Sequence, residues 1–232
     1  MAIPKLVKVT KPIHIPSLDK DVLFEPFTIE DEKAIITLEE NDSSYHKSLV
    51  QLNILKKCCQ DPTVNFDAMS IVEIAYLFLK LRGISYSDII ELEVECKKCH
   101  ESVKLSMNIK DVEIDASLLK PLRLTVNTTD GNYFIIATHY TVADLEYIDV
   151  DSTNPDINSL SLVLRQMMRV DGNDIIDLTN EEKQELFSQF GIEESKKVLD
   201  YISSNSKLKY HLDFKCPHCG EEYEWDIQDF FI

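Results

Sequence analysis

Cys96-Lys97-Lys98-Cys99 and Cys216-Pro217-His218-Cys219 are two Cys-x-x-Cys pairs with no other cysteine between them. A strand-like run enters each pair and another leaves it. Leu92-Glu93-Val94-Glu95 and Ser102-Val103-Lys104-Leu105 flank the first; Tyr210-His211-Leu212-Asp213-Phe214 and Tyr223-Glu224-Trp225 flank the second. This is the layout of a zinc ribbon, in which two hairpin tips each offer two thiolates to one tetrahedral ion. A redox Cys-x-x-Cys opens a helix in a βαβ unit, and neither pair sits in such a pattern. The ligand set read from the spacing is Cys96, Cys99, Cys216 and Cys219. Four thiolates leave no position open for water, so the expected Zn2+ is structural and metal-assisted catalysis is not implied. His100 and His218, beside a complete ligand set, read as exposed turn residues.

Such a clasp ties mid-chain to the C-terminal region and makes the intervening sequence an insertion. The expected fold class is α+β: an N-terminal helical region, a discontinuous zinc ribbon of two β-hairpins, and an inserted α/β segment between the two Cys pairs. In residue terms these are an extended arm and helical region over 1–90, the ribbon over 91–108 and 208–232, and a hairpin-plus-helices insertion over 109–207.

Pro4, Pro12 and Pro16 exclude helix from the first twenty residues. Leu18-Asp19-Lys20-Asp21 reads as a turn and Val22-Leu23-Phe24 as a short strand. Thr28 opens a helix, with Asp31 in capping-box position, that carries Ala34, Ile35 and Leu38 on one face and ends near Glu40-Asn41-Asp42. Ser43 or Ser44 caps a second helix through about Cys59, with Leu49, Leu52 and Leu55 at helical spacing. A third spans Ser70 to Leu81; Ile71, Ile74, Ala75, Leu77, Phe78 and Leu81 cover over half its circumference, so it is the expected central core helix, ended by Gly83. In the insertion, Pro121–Val126 and Tyr133–Ala137 flank Thr129-Asp130-Gly131-Asn132, a hairpin signal. Val142–Ile148 reads as a short helix, Asp149–Asp156 as a loop, and Ile157–Val170 as a helix bearing Leu160, Leu164, Met167 and Met168. Asp171-Gly172-Asn173-Asp174 is a turn, Thr179 with Glu182 caps a helix ending at Gly191, and Glu193–Ser203 forms the last helix. No internal repeat is found at this level.

The 232 residues carry 41 Asp and Glu against 24 Lys and Arg, a formal charge of −17. Phosphate backbones are bound by Lys and Arg that displace counterions, so nucleic acid is not the expected main partner. Lys97, Lys98, Lys104 and Lys110 are the one modest basic group supporting the competing reading, a zinc-ribbon nucleic-acid-binding or transcription-associated factor. A membrane is not expected as the main partner either: the most apolar run, Ile71 to Leu81, contains Glu73 and Lys80. Met1 to Lys20 lacks an apolar h-region, so no signal peptide is expected. Cys58 and Cys59, read as a buried and inert vicinal pair, fit a reducing cytoplasm.

An enzyme is not expected. The five glycines form no phosphate-cradling loop, and no nucleophile elbow or His-Glu-x-x-His is present. His139, beside Tyr140 and Asp144, is the one histidine worth inspecting for a carboxylate partner. Asp149, Asp151, Asn154 and Asp156 lack the central Gly and terminal Glu of a calcium loop. The C-terminal residues Trp225, Phe230, Phe231 and Ile232 either pack back onto the domain or offer an apolar anchor to a partner, since buried aromatics carry interface energy.

Several segments, in this order, resemble the baseplate hub and hub-assembly protein family of T-even-type contractile-tailed bacteriophages. They are Ile15-Pro16-Ser17, then Phe24-Glu25-Pro26-Phe27-Thr28 entering the first helix, then Ile74-Ala75-Tyr76-Leu77-Phe78-Leu79-Lys80-Leu81-Arg82-Gly83-Ile84-Ser85, the most specific piece. Glu95-Cys96, Cys216-Pro217-His218-Cys219-Gly220 and Asp229-Phe230-Phe231 complete the set. The resemblance implies a non-enzymatic late protein of tail morphogenesis, a hub subunit or assembly factor. Its implied partners are other phage baseplate hub proteins, in the host cytoplasm during assembly and in the virion tail baseplate.

Overall fold

The computed structural model describes residues 9–38, 44–128, 131–147, 167–171, 174–204 and 208–226. The chain divides into two units: Met1–Phe66 with Val72–Ile114 and Lys207–Ile232, and Asp67–Ile71 with Asp115–Ser206. Among the described residues the architecture is mixed, with five α-helices and four small antiparallel sheets.

In the first unit, β1 (Lys11–Ile15) and β2 (Lys20–Phe24) form a hairpin. Asp19 takes a left-handed φ of 47° in its turn, a conformation that Asp tolerates better than most residues. Period-two alternation buries Ile13, Ile15, Val22 and Phe24 on one face. The helix α1 (Ile29–Ile36) begins as expected: the Asp31 carboxylate accepts from the Thr28 N–H at 2.8 Å and hydroxyl at 2.7 Å. It stops short of the expected end, and residues 39–43 lie outside the described ones. Its predicted apolar face is not buried either; the one buried residue is Asp31, which accepts from Lys57 at 2.7 Å. That cation lies on α2 (Ser44–Cys58), whose end docks on β2 through Glu25 N–H to Cys58 O and Gln60 N–H to Leu23 O, both 2.9 Å.

The central helix α3 (Ile71–Ser85) buries Ile74, Ala75, Leu77, Leu79 and Leu81. Gly83 does not end it. The glycine sits inside the last turn, where a Cβ would stand 3.0 Å from Asp88 Oδ1 and 3.6 Å from Ile109 Cγ2. The missing side chain serves close approach, not a left-handed cap. Beyond α3 come β3 (Ile89–Glu95) and β4 (Ser102–Asn108), the first expected hairpin.

The second unit holds a four-stranded antiparallel meander, β5 (Leu122–Thr128), β6 (Gly131–Ala137), β7 (Met167–Asp171) and β8 (Asp174–Asp177), followed by α4 (Asn180–Ser188) and α5 (Ile192–Ser204). Leu124, Ile135, Ala137, Met167 and Val198 make its core, flanked by Leu186, Phe187, Phe190 and Tyr201. The expected short helix after Thr141 is a 3-10 helix, Val142–Tyr147. The helix expected over 157–170 needs correction at its end: Met167 to Val170 lie in a strand paired with Phe134 to Ala137. A short apolar run is ambiguous between helix and strand, and here strand pairing decides. Residues 149–156 and 157–166 lie outside the described ones. At Thr179 the predicted capping box is present, with Glu182 accepting from the Thr179 N–H at 2.8 Å.

The chain then re-enters the first unit and forms a last hairpin, β9 (His211–Lys215) and β10 (Glu222–Asp226). The bases of both Cys-bearing hairpins share one core: Ala75 and Leu79 of α3 meet Met107, Ile109, Val112, Leu208 and Tyr210, with Ile90, Leu92 and Leu212 packed against them. Lys80 fixes this junction, its ammonium donating to Ile109 O at 2.8 Å and Val112 O at 3.1 Å. Glu113 and Lys209 exchange two 2.9 Å backbone hydrogen bonds where the two chain passes run side by side. No helix among the described residues is long and apolar enough to cross a membrane.

Candidate metal centre

Each Cys-x-x-Cys forms the tip of its hairpin with the same backbone chemistry. In the first, Cys96 N–H donates to Glu101 O (2.9 Å) and His100 N–H to Cys96 O (2.8 Å); in the second, Cys216 N–H donates to Glu221 O (2.8 Å) and Gly220 N–H to Cys216 O (2.9 Å). His100 and Gly220 occupy the same place in the two turns, with left-handed φ of 60° and 74°. Glycine meets that demand without strain and His100 meets it at some cost. Residues 91–106 of the first hairpin thus have their counterparts 120 positions later, in residues 211–226, Cys96 with Cys216 and Cys99 with Cys219. The apolar positions follow suit, Leu92 with Leu212, Val94 with Phe214, Val103 with Tyr223, Leu105 with Trp225. The hairpins are an internal repeat that identity alone does not reveal, which corrects the expectation of none.

The two tips bring their sulfurs together. All four Sγ atoms lie within 4.8 Å of one another. Across the hairpins, Cys96 Sγ is 3.7 Å from Cys219 Sγ and Cys99 Sγ is 3.7 Å from Cys216 Sγ. A disulfide requires about 2.05 Å, so these are free sulfurs. Four sulfurs at about 2.3 Å from a central ion form a tetrahedron with edges of about 3.8 Å, which the cross-hairpin distances match. Cys96 and Cys216 are buried and Cys99 and Cys219 partly so, inside a cuff of Val94, Val103, Leu105, Phe214 and Tyr223. The cluster could hold a metal ion.

The surroundings shift the sulfurs in opposite directions. A hydrogen bond with Tyr223 is the largest influence on the Cys96 thiol and brings it down to about 6. Cys99 is eased by a backbone hydrogen bond with Glu101, yet burial and its sulfur neighbours push it up to about 12. Four negative sulfurs this close repel one another unless a positive ion lies among them.

Two cross-hairpin contacts escaped the sequence reading. The Tyr223 hydroxyl lies 3.1 Å from Cys96 Sγ and accepts from the Lys98 N–H at 3.2 Å. Lys98 Nζ pairs with Glu221 at 2.5 Å. Only the 120-residue correspondence, which gives Tyr223 the place that the buried Val103 holds in the first hairpin, could have flagged the tyrosine. The basic group considered for nucleic acid is largely engaged: besides Lys98, Lys110 pairs with Asp88 at 2.5 Å, and Lys104 stands across the ladder from Glu93.

The other inspected residues do not converge. His139 Nε2 lies 2.7 Å from the Tyr201 hydroxyl, which donates to Lys120 O at 2.7 Å. Asp144 accepts from the Thr141 N–H (2.7 Å) and hydroxyl (3.0 Å), capping the 3-10 helix. Cys59 Sγ donates to Asp61 O at 3.4 Å, and Cys58 is buried. Of the C-terminal candidates, Trp225 pairs with Leu212 through its backbone in β10, while Phe230, Phe231 and Ile232 lie outside the described residues.

Fold and site define a mixed α and β protein in which two hairpins far apart in sequence meet at one four-cysteine cluster. Residues 7–232 match the family described as T4 bacteriophage base plate protein, and the chain belongs to that family. No curated protein and no solved structure is significantly similar to it. Membership marks it as a phage baseplate structural protein and implies partners among other baseplate proteins.

Proposed function

We propose that this chain is a non-enzymatic hub subunit or hub-assembly factor of the phage tail baseplate, its binding scaffold closed by a structural zinc ribbon. The observation that carries the zinc is the meeting of four sulfurs from two hairpins at tetrahedral spacing. Cys96, Cys99, Cys216 and Cys219 are the proposed ligands, and residues 109–207 the insertion hung between them. Bound there, zinc would join the two tips and leave no site for water. Family membership supports the baseplate; the segments Ile74–Ser85 and Cys216–Gly220, which resemble hub proteins, support the hub. The chain would act in the host cytoplasm during assembly and at the virion tail baseplate, through contacts to other hub proteins to which Trp225, Phe230, Phe231 and Ile232 contribute.

Elemental analysis of freshly purified, reduced protein tests the metal: one zinc per chain is expected, whereas no metal, or iron, overturns it. Infection without a functional copy of this chain tests the role. Baseplate intermediates lacking assembled hubs are expected, and normal hubs refute it. Deleting residues 230–232 should weaken co-purification with hub proteins more than it lowers the melting temperature; equal loss of both would assign those residues to packing.

A further inference from the structure

We propose that Tyr223 is a positioning residue of the metal centre, donating a hydrogen bond from the second hairpin to Cys96 of the first and making Cys96 less reactive than Cys216, its counterpart in the second hairpin. This deepens the reading of the four cysteines as metal ligands and rests on it. A metal-bound thiolate carries no proton, so in the 3.1 Å contact between Tyr223 Oη and Cys96 Sγ the hydroxyl is the donor. Its oxygen in turn accepts from the Lys98 N–H at 3.2 Å, so one hydroxyl reads both a ligand and the backbone of the tip that carries it. Stacking on Phe214, with centroids 5.0 Å apart and planes 22° from parallel, holds the ring for this contact. Outer partners of this kind orient ligands and tune them, and a hydrogen bond to a thiolate withdraws the electron density with which it attacks an electrophile.

The repeat supplies an internal control. Cys216 is the counterpart of Cys96 and is buried to the same 1%. The position corresponding to Tyr223 is Val103, which has no donor to offer. The two sulfurs share burial and the backbone hydrogen bonds of the tip; Cys96 has this hydroxyl against it, and the turns differ in Lys97-Lys98 against Pro217-His218, so the Tyr223→Phe variant isolates the hydroxyl.

The test uses the zinc-loaded full chain, treated with limiting N-ethylmaleimide and sampled over time by mass spectrometry. Attack of a sulfur on the maleimide double bond forms a C–S bond and removes that ligand; a chromogenic chelator follows the released zinc in parallel. In the wild type, Cys96 should react more slowly than Cys216. In Tyr223→Phe, which keeps the ring and its stacking, the two should react alike, Cys96 rising to the rate of Cys216 while zinc release changes little. Equal reactivity of Cys96 and Cys216 in the wild type overturns the proposal without recourse to any variant. So does a zinc-replete Tyr223→Phe protein in which Cys96 still reacts more slowly than Cys216. A wild-type chain that holds no zinc is recognised by stoichiometry before alkylation begins, and it overturns the ligand reading itself.

Discussion

Replacing Cys216 by serine removes one sulfur from a cluster whose members come from hairpins more than a hundred residues apart, and its cost follows from what else joins those tips. The cuff around the sulfurs is small, with Cys96, Val103 and Cys216 its buried members. The ion pair between Lys98 and Glu221 is exposed on both sides, and exposed pairs are worth about 0–1 kcal/mol. Structural zinc in small thiolate sites contributes about 10–16 kcal/mol at neutral pH, comparable to or above the roughly 5–15 kcal/mol that separates a folded domain from its unfolded chain. Cys216→Ser should therefore lose the metal and with it the ordered tips. The damage should spread down both hairpins to the core shared with Ala75 and Leu79. Zinc stoichiometry with amide hydrogen exchange on the same samples checks this: protection should collapse in β3, β4, β9 and β10 and survive better in the β5–β8 meander, which has its own core. Cys59→Ala, outside the cluster, should keep its zinc. A zinc-free Cys216→Ser protein with wild-type protection and melting temperature would refute the reasoning.

Burial raises the Glu73 carboxyl above its ordinary 4.5, although it accepts from the Ser17 N–H at 2.8 Å. The folded state then binds this proton more tightly than the unfolded one, so stability falls as pH rises from 4.5 through the folded value; Glu73→Gln, which keeps an acceptor for Ser17, should flatten that slope in urea titrations. Asp31 has the opposite sign. Burial pushes its carboxyl up, but hydrogen bonds from Lys57 and Thr28 outweigh this and hold it below 3.8, so its contribution is present above 3.8 and lost as pH falls through the folded value. Asp31→Ala, which removes the N3 half of the capping box and the acceptor of Lys57, should cost about 0.5–2 kcal/mol, read from the urea midpoint at pH 7. At Gly83, alanine gains about 1 kcal/mol of helix propensity, touches Ile109 at an ordinary contact distance of 3.6 Å and asks the flexible end of the Asp88 side chain, 3.0 Å away, to shift slightly. Gly83→Ala should be near neutral, whereas Gly83→Leu should cost about 1–3 kcal/mol by overpacking against Ile109, measured by thermal melts.

Where the physics is local, the sequence was legible. The Thr28 and Thr179 capping boxes depend on residues three apart, and both are present. So does each cysteine tip, whose turn is closed by hydrogen bonds spanning four or five residues. Reading failed where partners distant in the chain decide. Met167 to Val170 has no local reason to prefer a strand until Phe134 to Ala137 is beside it, and Gly83 looks like a helix stop until the helix is seen to run on to Ser85, with Asp88 and Ile109 close against the glycine. The site divides in the same way. Its sulfurs were legible because cysteine spacing carries its chemistry with it, while Tyr223 was not, since nothing near it in sequence separates it from any strand tyrosine. Its role depends on the hairpin register that sets Tyr223 opposite Phe214 and on the meeting of the two tips that sets it against Cys96. The same dependence explains why the correspondence is hidden in the sequence: the hairpins share few identities, and what they keep is the order of apolar positions around each Cys-x-x-Cys. Each hairpin carries two of the four sulfurs, so the cluster is legible as one site when Cys96 and Cys99 are seen beside Cys216 and Cys219.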